Sequence, residues 1–387
     1  MSKLIYVQAQ SDHIASLSKA APLAAVEELV WNALDADARE VRVEVATNAL
    51  GAVESVRVSD DGTGIDILRA DSTFGFLGGS WKLAGPSTER LHRRLHGRHG
   101  RGRFKAFALG RRVEWRTTVR VGGELLSYRL SGEASSPGVF TLDAVGTPGP
   151  ATGTEVFVDE VNATCDTLLD AAETVQSLSS KFALYLKSYP DVRIYFNGLP
   201  VTPVVVQRKT TDMKLALPGG AEAKLEIIEW RGRFAGTGRL VFAGPDGFML
   251  HEVPAGARSG GRSFTAYLVS PRFPALAAEN ALAMDELHPE VRAYLDAAKK
   301  AIKEHFAAES EDRAAGEIGN WILEGSYPFD EDDSSKERTR FDSLALEVSS
   351  RFDGFADLAP ESRSIVLRLL KHAMASVKRG TLKEFLK

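Results

Sequence analysis

Residues 24–38, AAVEELVWNALDADA, constrain the fold of this chain more than any other stretch. Glu28, Asn32 and Asp35 are spaced by four and then three residues. At 3.6 residues per turn, that spacing stacks them on one face of a helix. Val26, Leu29, Val30 and Ala33 fall on another face, which can pack against a core. Two readings follow from the pattern alone: an amphipathic surface helix, or the wall of a polar site. The rest of the sequence must decide between them.

Residues 58–65, VSDDGTGI, close an alternating run that reads as a strand. The Asp-Gly pair and a second Gly two residues on mark a tight turn. A carboxylate at the strand end, Asp60, can accept a hydrogen bond from a flat ligand beside the backbone of Gly62 and Gly64. Residues 97–105, GRHGRGRFK, bring Gly97, Gly100 and Gly102 just before the apolar run 104–109. This reads as a loop feeding a helix, where free N–H groups can meet an anion. Further on, Gly153-Thr154 opens the apolar strand 153–158. Neither the P-loop pattern G-x-x-x-x-G-K-[ST] nor a strand followed by G-x-G-x-x-G is present.

In this order the four segments resemble the motifs of the GHKL ATPase superfamily: gyrase and other type II topoisomerases, large heat-shock chaperones, histidine kinases, MutL and MORC proteins. The helix is similar to the N box, residues 60–64 and 97–102 to the two glycine boxes, and Gly153-Thr154 to the last motif. The resemblance covers about the first half of the chain and is nearest to MORC-like and MutL-like ATPases. It implies a Bergerat-type two-layer α/β sandwich, with ATP and Mg²⁺ as cofactors. Glu28 would be the catalytic base that activates water, and Asn32 the Mg²⁺ ligand. Asp60 would accept from the adenine amino group, with Thr154 supporting that hydrogen bond. Gly62 and Gly64 would let backbone approach the nucleotide, and Gly97, Gly100 and Gly102 would place N–H groups on the phosphates. Asp35 would either order waters near the metal or brace the helix. Glu27 projects about 100° away from Glu28 and reads as solvent-facing or structural.

Between the glycine boxes lies the segment that forms a mobile lid in the superfamily, here about 74–102, with glycines suited to hinges. Phe74-Gly75-Phe76 followed by Lys82 resembles MORC-type and MutL-type sequences, so Lys82 and Lys105 are expected either on the phosphates or in solvent. The lid and its flank, residues 90–112, are rich in Arg, including Arg90, Arg93, Arg94, Arg98, Arg101, Arg103, Arg111 and Arg112. These cations exceed what a triphosphate needs. They can serve DNA phosphates, acidic patches of a partner subunit, or solvent.

The net charge of −4 places any nucleic-acid contact in this local patch rather than in the overall charge. The lone Cys165 excludes an internal disulfide, and a structural zinc site is not expected. No apolar run approaches a membrane span, and the start of the chain lacks a signal-peptide core, so the expected location is cytoplasmic.

Three regions are expected in an α+β chain. Residues 1–185 carry the GHKL-type ATP-binding domain, with a mixed, largely antiparallel sheet and helices on one face. Strands are expected near 113–119 and 125–130, and a helix over 166–188 that ends near Pro190. Residues 186–290 contain strands near 224–230, 238–242 and 263–269, and their placement resembles a transducer domain. In relatives a basic residue of that domain reaches the γ-phosphate. Lys209, Arg258, Arg262 and Arg272 are the candidates, and the sequence does not choose among them. Residues 291–387 form a helical C-terminal region, with a polar linker over 325–336. Its helices serve either dimerisation and docking of a protein partner, or as a cap on the second domain.

The resemblance implies a slow, Mg-dependent ATPase acting as an ATP-gated homodimeric clamp or remodeller, with DNA the first expected client. The alternative is an ATP-driven chaperone or protein-interaction switch without nucleic acid. No phosphoacceptor-histidine helix, tyrosine-nucleophile domain or acidic nuclease motif is recognised, so kinase, complete topoisomerase and nuclease activities are not expected of this chain.

Overall fold

The computed structural model describes residues 19–66, 87–93, 95–96, 102–144, 147, 149–217, 222–232, 238–330, 335–352 and 354–376. The chain divides into two compact units, 1–299 and 300–387.

The first unit begins with α1 (Pro22–Asp35), whose first position is Pro, a residue that needs no N–H there. Its other end is closed by a Schellman arrangement. Ala38 N–H bonds to Ala33 O and Asp37 N–H to Leu34 O, both at 3.1 Å, with Asp37 in the left-handed region at φ 62°. The strands β1 (Glu40–Thr47) and β2 (Val53–Asp60) follow. Then come a single helical turn, α2 (Gly102–Lys105), β3 (Gly110–Val121), β4 (Glu124–Glu133), β5 (Phe140–Ala144) and β6 (Gly153–Val161). Helix α3 (Ala171–Ser188) leads to β7 (Arg193–Phe196) and β8 (Leu199–Pro200).

These eight strands form one sheet in the order β5-β4-β3-β6-β2-β1-β7-β8. Every neighbouring pair is antiparallel except β1–β7. The mixed, largely antiparallel sheet expected from the sequence is therefore present. Strand alternation decides its two faces. Val113, Trp115, Thr117 and Val119 of β3 point inward, and α1 and α3 cover that face with Leu29, Val30, Trp31, Leu178 and Phe182. Burying side chains of this size stabilises the layer by roughly 1.5–3 kcal/mol each. The opposite face is charged and solvated. There Arg57, Arg116 and Arg129 bridge Glu44, Glu155, Glu114 and Asp143 across β1, β2, β6, β3, β4 and β5. Exposed pairs of this kind contribute little singly. They do neutralise arginines that the sequence shows only as charge.

The helix expected after the glycines of 97–102 is present but short: α2 and a 3-10 turn, Ala106–Ala108, precede the turn of the backbone into β3. Phe104, Ala106, Phe107 and Leu109 are buried in the core, so the run is apolar all round rather than the face of a longer helix.

A second sheet follows a short helix, α4 (Pro203–Val206). It comprises β9 (Gln207–Ala216), β10 (Glu222–Trp230), β11 (Arg239–Ala243), β12 (Met249–Pro254) and β13 (Phe264–Val269), in the order β12-β11-β13-β10-β9. The two edge strands, β9 and β12, were not anticipated; neither has the buried residue run that makes β10 and β13 readable. Helix α3 serves both sheets. Its Phe182 lies in the core of the first, while Ala183 and Leu184 pack with Ile228, Trp230, Val241 and Tyr267 of the second. The Tyr267 hydroxyl donates to Ser180 O at 2.7 Å. Helix α5 (Phe273–Ala278) and the start of α6 (Pro289–Leu323) complete the unit.

The second unit contains the rest of α6, α7 (Ser335–Arg351) and α8 (Pro360–Ser376) around Trp321, Phe329, Phe341, Phe355 and Leu367. The sequence reading missed α7 because its buried face amounts to Phe341 and Ala345 among polar residues.

Candidate functional site

Asp60 ends β2 and is paired in register with Thr154 on β6. Thr154 in turn faces Thr117 on β3. Three adjacent strands thus line up polar residues on the helix-covered side of the sheet. Asp60 Oδ1 accepts from Gly62 N at 2.8 Å and Thr154 N at 3.3 Å. The hydroxyls of Thr117 and Thr154 are 3.1 Å apart, and Thr117 Oγ1 also accepts from Ile65 N at 2.9 Å. Burial pushes the Asp60 carboxyl up to about 7, against the opposing pull of the two N–H donors. A carboxylate kept short of solvent in this way gains when a ligand donates to it.

The glycine turn is fixed by contact as well as by conformation. A Cβ on Gly62 would lie 2.6 Å from Ala36 O. Gly64 has φ +76°, and its Cβ would lie 2.3 Å from Thr118 O. The turn is therefore pressed against both the end of α1 and the sheet. Thr63 N–H donates to Ala36 O at 2.7 Å, which ties it to the helix end. Thr117 is a site residue that the sequence reading missed. Its only signal is an inward position on a strand, and its partners Ile65 and Thr154 are far away in sequence.

On α1, Glu28 and Asn32 lie one turn apart, and both are partly buried. Lys105 Nζ sits 2.8 Å from Glu28 Oε2. The Asn32 carboxamide has no hydrogen-bond partner among the described residues. A neutral oxygen donor left open beside a carboxylate fits Mg²⁺, a hard cation with oxygen ligands that is bound through few protein groups. Asp35 does not share this open face. It is buried, and its Oδ1 accepts from His96 N at 2.8 Å.

Asp35 belongs to a second cluster that holds residues 87–93 and 95–96 on the end of α1. Asp37 accepts from Arg90 N at 2.9 Å and Leu91 N at 3.3 Å. The His96 ring stacks flat on Trp31, with centroids 4.2 Å apart. Arg93 is 2% exposed. It donates to Ala38 O at 2.5 Å, approaches Asp191 at 3.4 Å and lies over the Tyr189 ring. The expectation that Arg93 contributes to a DNA-facing patch is thus corrected, because its guanidinium is consumed inside the fold. Lys105 and Arg112 are also paired, Arg112 with Asp159 at 2.7 Å. Arg90 and Arg111 remain at the surface.

Lys82, Gly97, Gly100, Arg94, Arg98 and Arg101 lie outside the described residues. Gly102 is the first residue of α2. Of the cations considered in the second sheet region, Arg262 pairs with Glu229 at 3.4 Å and Arg272 with Glu290 at 2.8 Å, while Arg258 is exposed. Glu27 is not solvent-facing. It lines a cavity of about 200 Å³ with Lys181, Arg239 and Glu252, and burial pushes its carboxyl up while Lys181 opposes that shift.

Residues 21–136 match the family described as histidine kinase-, DNA gyrase B-, and HSP90-like ATPase. The match places this part of the chain among sequences similar to the GHKL ATPases, which supports ATP binding. No curated protein matches the chain. Among solved structures, the N terminal domain of a DNA repair protein aligns with 76% of this chain and 97% of its own, at 13% identity and a TM-score of 0.45. The ATPase domain of the mismatch repair endonuclease MutL from Aquifex aeolicus aligns with 65% of this chain and 90% of its own, at 18% identity and a TM-score of 0.36. The A. aeolicus MutL ATPase domain complexed with ADP aligns with 67% of this chain and 96% of its own, at 19% identity and a TM-score of 0.35. No described helix is long and apolar enough to cross a membrane.

Proposed function

We propose that this chain hydrolyses ATP in a Mg²⁺-dependent reaction, and that nucleotide binding closes two copies into a clamp. The observation that carries the reading is the placement of Glu28 and Asn32 on one face of α1, with the Asp60–Thr154–Thr117 row at the neighbouring strand ends. Adenine's amino group would donate to Asp60, whose carboxylate is short of solvent. The Thr117 and Thr154 hydroxyls would hold the base edge and any bridging water. Asn32 would hold Mg²⁺, which supplies charge neutralisation across the β- and γ-phosphates when bound. Glu28 would orient a water and take its proton.

Lys105 pairs with Glu28 at 2.8 Å, and a base tied to an ammonium is a poor proton acceptor. Phosphate oxygens would compete for the same ammonium, so the substrate itself would free the base. Turnover is then limited by closure, and slow. Of the sites expected on the phosphates, Gly97, Gly100, Gly102, Lys82 and Lys105 remain our assignment. We also assign the second sheet, β9 to β13 of the expected 186–290 region, to a transducer-like domain, because β7 and β8 belong to the first sheet, and the C-terminal helices to partner docking. The cytoplasm is the proposed location.

DNA is the first client to test, through the exposed Arg90 and Arg111. A second reading, a protein-directed chaperone or switch, is favoured by the internal use of Arg93, Lys105 and Arg112. One experiment separates them: the oligomeric state of Glu28→Ala protein, sized alone, with ATP, and with ATP plus duplex DNA. An ATP-dependent dimer that retains DNA at moderate salt supports the clamp. A dimer that ignores DNA moves the client to protein, and a monomer that binds no ATP ends the reading.

A further inference from the structure

Glu27 and Glu28 are neighbours on α1, yet they are held from different sides. Glu28 meets Lys105 of α2 at 2.8 Å. Glu27 Oε2 lies 3.9 Å from Lys181 Nζ of α3. The same ammonium donates to Glu252 Oε2 of β12 at 3.0 Å, and Glu252 Oε1 accepts from Arg239 Nε of β11 at 2.7 Å. Burial disfavours the charge on Glu252, but Lys181 and Arg239 outweigh it and hold the carboxyl below its ordinary value. One lysine therefore joins the helix of the nucleotide site to the second sheet. All three side chains, Glu27, Lys181 and Glu252, are less than a third exposed, so solvent screens them only in part.

The cavity beside this chain does not favour a charged ligand. Its cations, Lys181 and Arg239, are matched by Glu27 and Glu252. What it provides is room on one side of Lys181, beside Ser177 and Ser180 of the same helix. The C-terminal end of α1 is already fixed, by its Schellman turn and by Asp35 and Asp37. The N-terminal end has no side-chain cap. Glu27 and Glu28 are the charged groups of that half, and each reaches another element: Glu28 meets Lys105 of α2, and Glu27, on the same turn, meets Lys181 of α3.

We propose that Lys181 is a positioning residue for ATP hydrolysis: by holding Glu27 of α1 and Glu252 of β12 on one ammonium, it sets the rotation of α1 and hence the placement of the Glu28 carboxylate. This rests on the ATPase reading above. The leverage is geometric. A 20° rotation of a helix displaces a carboxylate about 6 Å from its axis by about 2 Å, and displacements of that order cost about a hundredfold in rate. The partners of Lys181 are Glu27 and Glu252, outside the Glu28–Asn32 and Asp60–Thr154–Thr117 groups proposed to hold the nucleotide, so its loss should act on turnover and spare nucleotide affinity.

The test compares Lys181→Met, Lys181→Arg, Glu27→Gln and the Glu27→Gln/Lys181→Met double variant. Lys187→Met serves as a control, since Lys187 makes a 2.7 Å pair with Glu226 from the same helix but none with α1. Two readouts are taken: steady-state kcat and KM for ATP, and amide hydrogen exchange of residues 22–35 without nucleotide. For Lys181→Met we expect kcat to fall by about tenfold with KM within about twofold, and Lys181→Arg to restore most of the rate. The double variant should be no slower than Lys181→Met, because both changes break one link. Exchange in α1 should rise in Lys181→Met and not in Lys187→Met. A loss of kcat shared equally by Lys187→Met, a change confined to KM, or additive losses in the double variant would overturn the proposal. If the wild-type protein turns over no ATP, the ATPase reading fails on that result alone. Hydrogen exchange then decides the link by itself, and unchanged protection of α1 in Lys181→Met refutes it.

Discussion

The ammonium of Lys105 sits 2.8 Å from Oε2 of Glu28, two residues separated by 77 positions in the chain. The pair places the proposed base and a proposed phosphate ligand in contact. It makes Lys105 informative in two ways, as a restraint on Glu28 and as a cation for the substrate.

Replacing Lys105 by Met should therefore weaken binding in proportion to phosphate count. The loss should be about tenfold or more for ATP, smaller for ADP and near zero for adenosine. Titration calorimetry with the three ligands checks this. Equal losses for all three would mean that Lys105 acts on the base end or on the fold.

Glu28→Gln should retain ATP affinity within about threefold while turnover falls at least a hundredfold. Single-turnover hydrolysis with labelled ATP reads the chemical step directly. Turnover at the wild-type rate would remove Glu28 from the reaction.

Asp60 gives a pH dependence with a definite sign. Its carboxyl is raised from 3.8 to about 7, so the folded protein binds that proton more tightly than the unfolded chain. Stability from this group is greatest at acid pH, falls as pH climbs from near 4 to about 7, and is flat above that. Adenine's amino group needs the ionised form. ATP affinity should therefore rise from pH 6 towards pH 8 with a slope approaching tenfold per unit below 7. Asp60→Asn should remove the slope and weaken binding by about tenfold. The same variant should raise nucleotide-free stability at pH 8 by roughly 2 kcal/mol, since it removes a charge that burial disfavours. Affinity independent of pH in the wild-type protein would contradict the Asp60 assignment.

Gly64→Ala should destabilise the fold by about 2 kcal/mol or more, because the turn requires φ +76° and the added methyl meets Thr118 O. Urea denaturation measures it. A neutral substitution would show that the turn is free to move off the sheet.

Arg93 and Arg111 separate internal from surface charge. Arg93→Glu breaks a buried guanidinium's bonds to Ala38 and Asp191 and should cost about 3–5 kcal/mol. Arg111→Glu lies on an exposed pair and should change stability by less than about 0.5 kcal/mol. If DNA is a client, Arg111→Glu should also weaken its binding and flatten the salt dependence. Binding that persists unchanged at every salt concentration would take Arg111 out of that surface.

The sequence determined those parts of the protein whose physics is local. Glu28 and Asn32 share a face because they are four residues apart on a helix, and the Asp60 turn is readable because Gly64, at φ +76°, takes backbone that other residues resist. Strand alternation likewise announced β3 and β4, and apolar runs announced β10 and β13. Tertiary structure decided the rest. Thr117 joins Asp60 and Thr154 only through strand register, and Arg93 is buried only because Ala38 and Asp191 come together around it. Glu27 meets Lys181 across more than 150 positions of chain. Sequence gives each of these residues its charge. Whether that charge faces water, a substrate or another buried group depends on which distant segment packs beside it, and that choice is made by the fold as a whole.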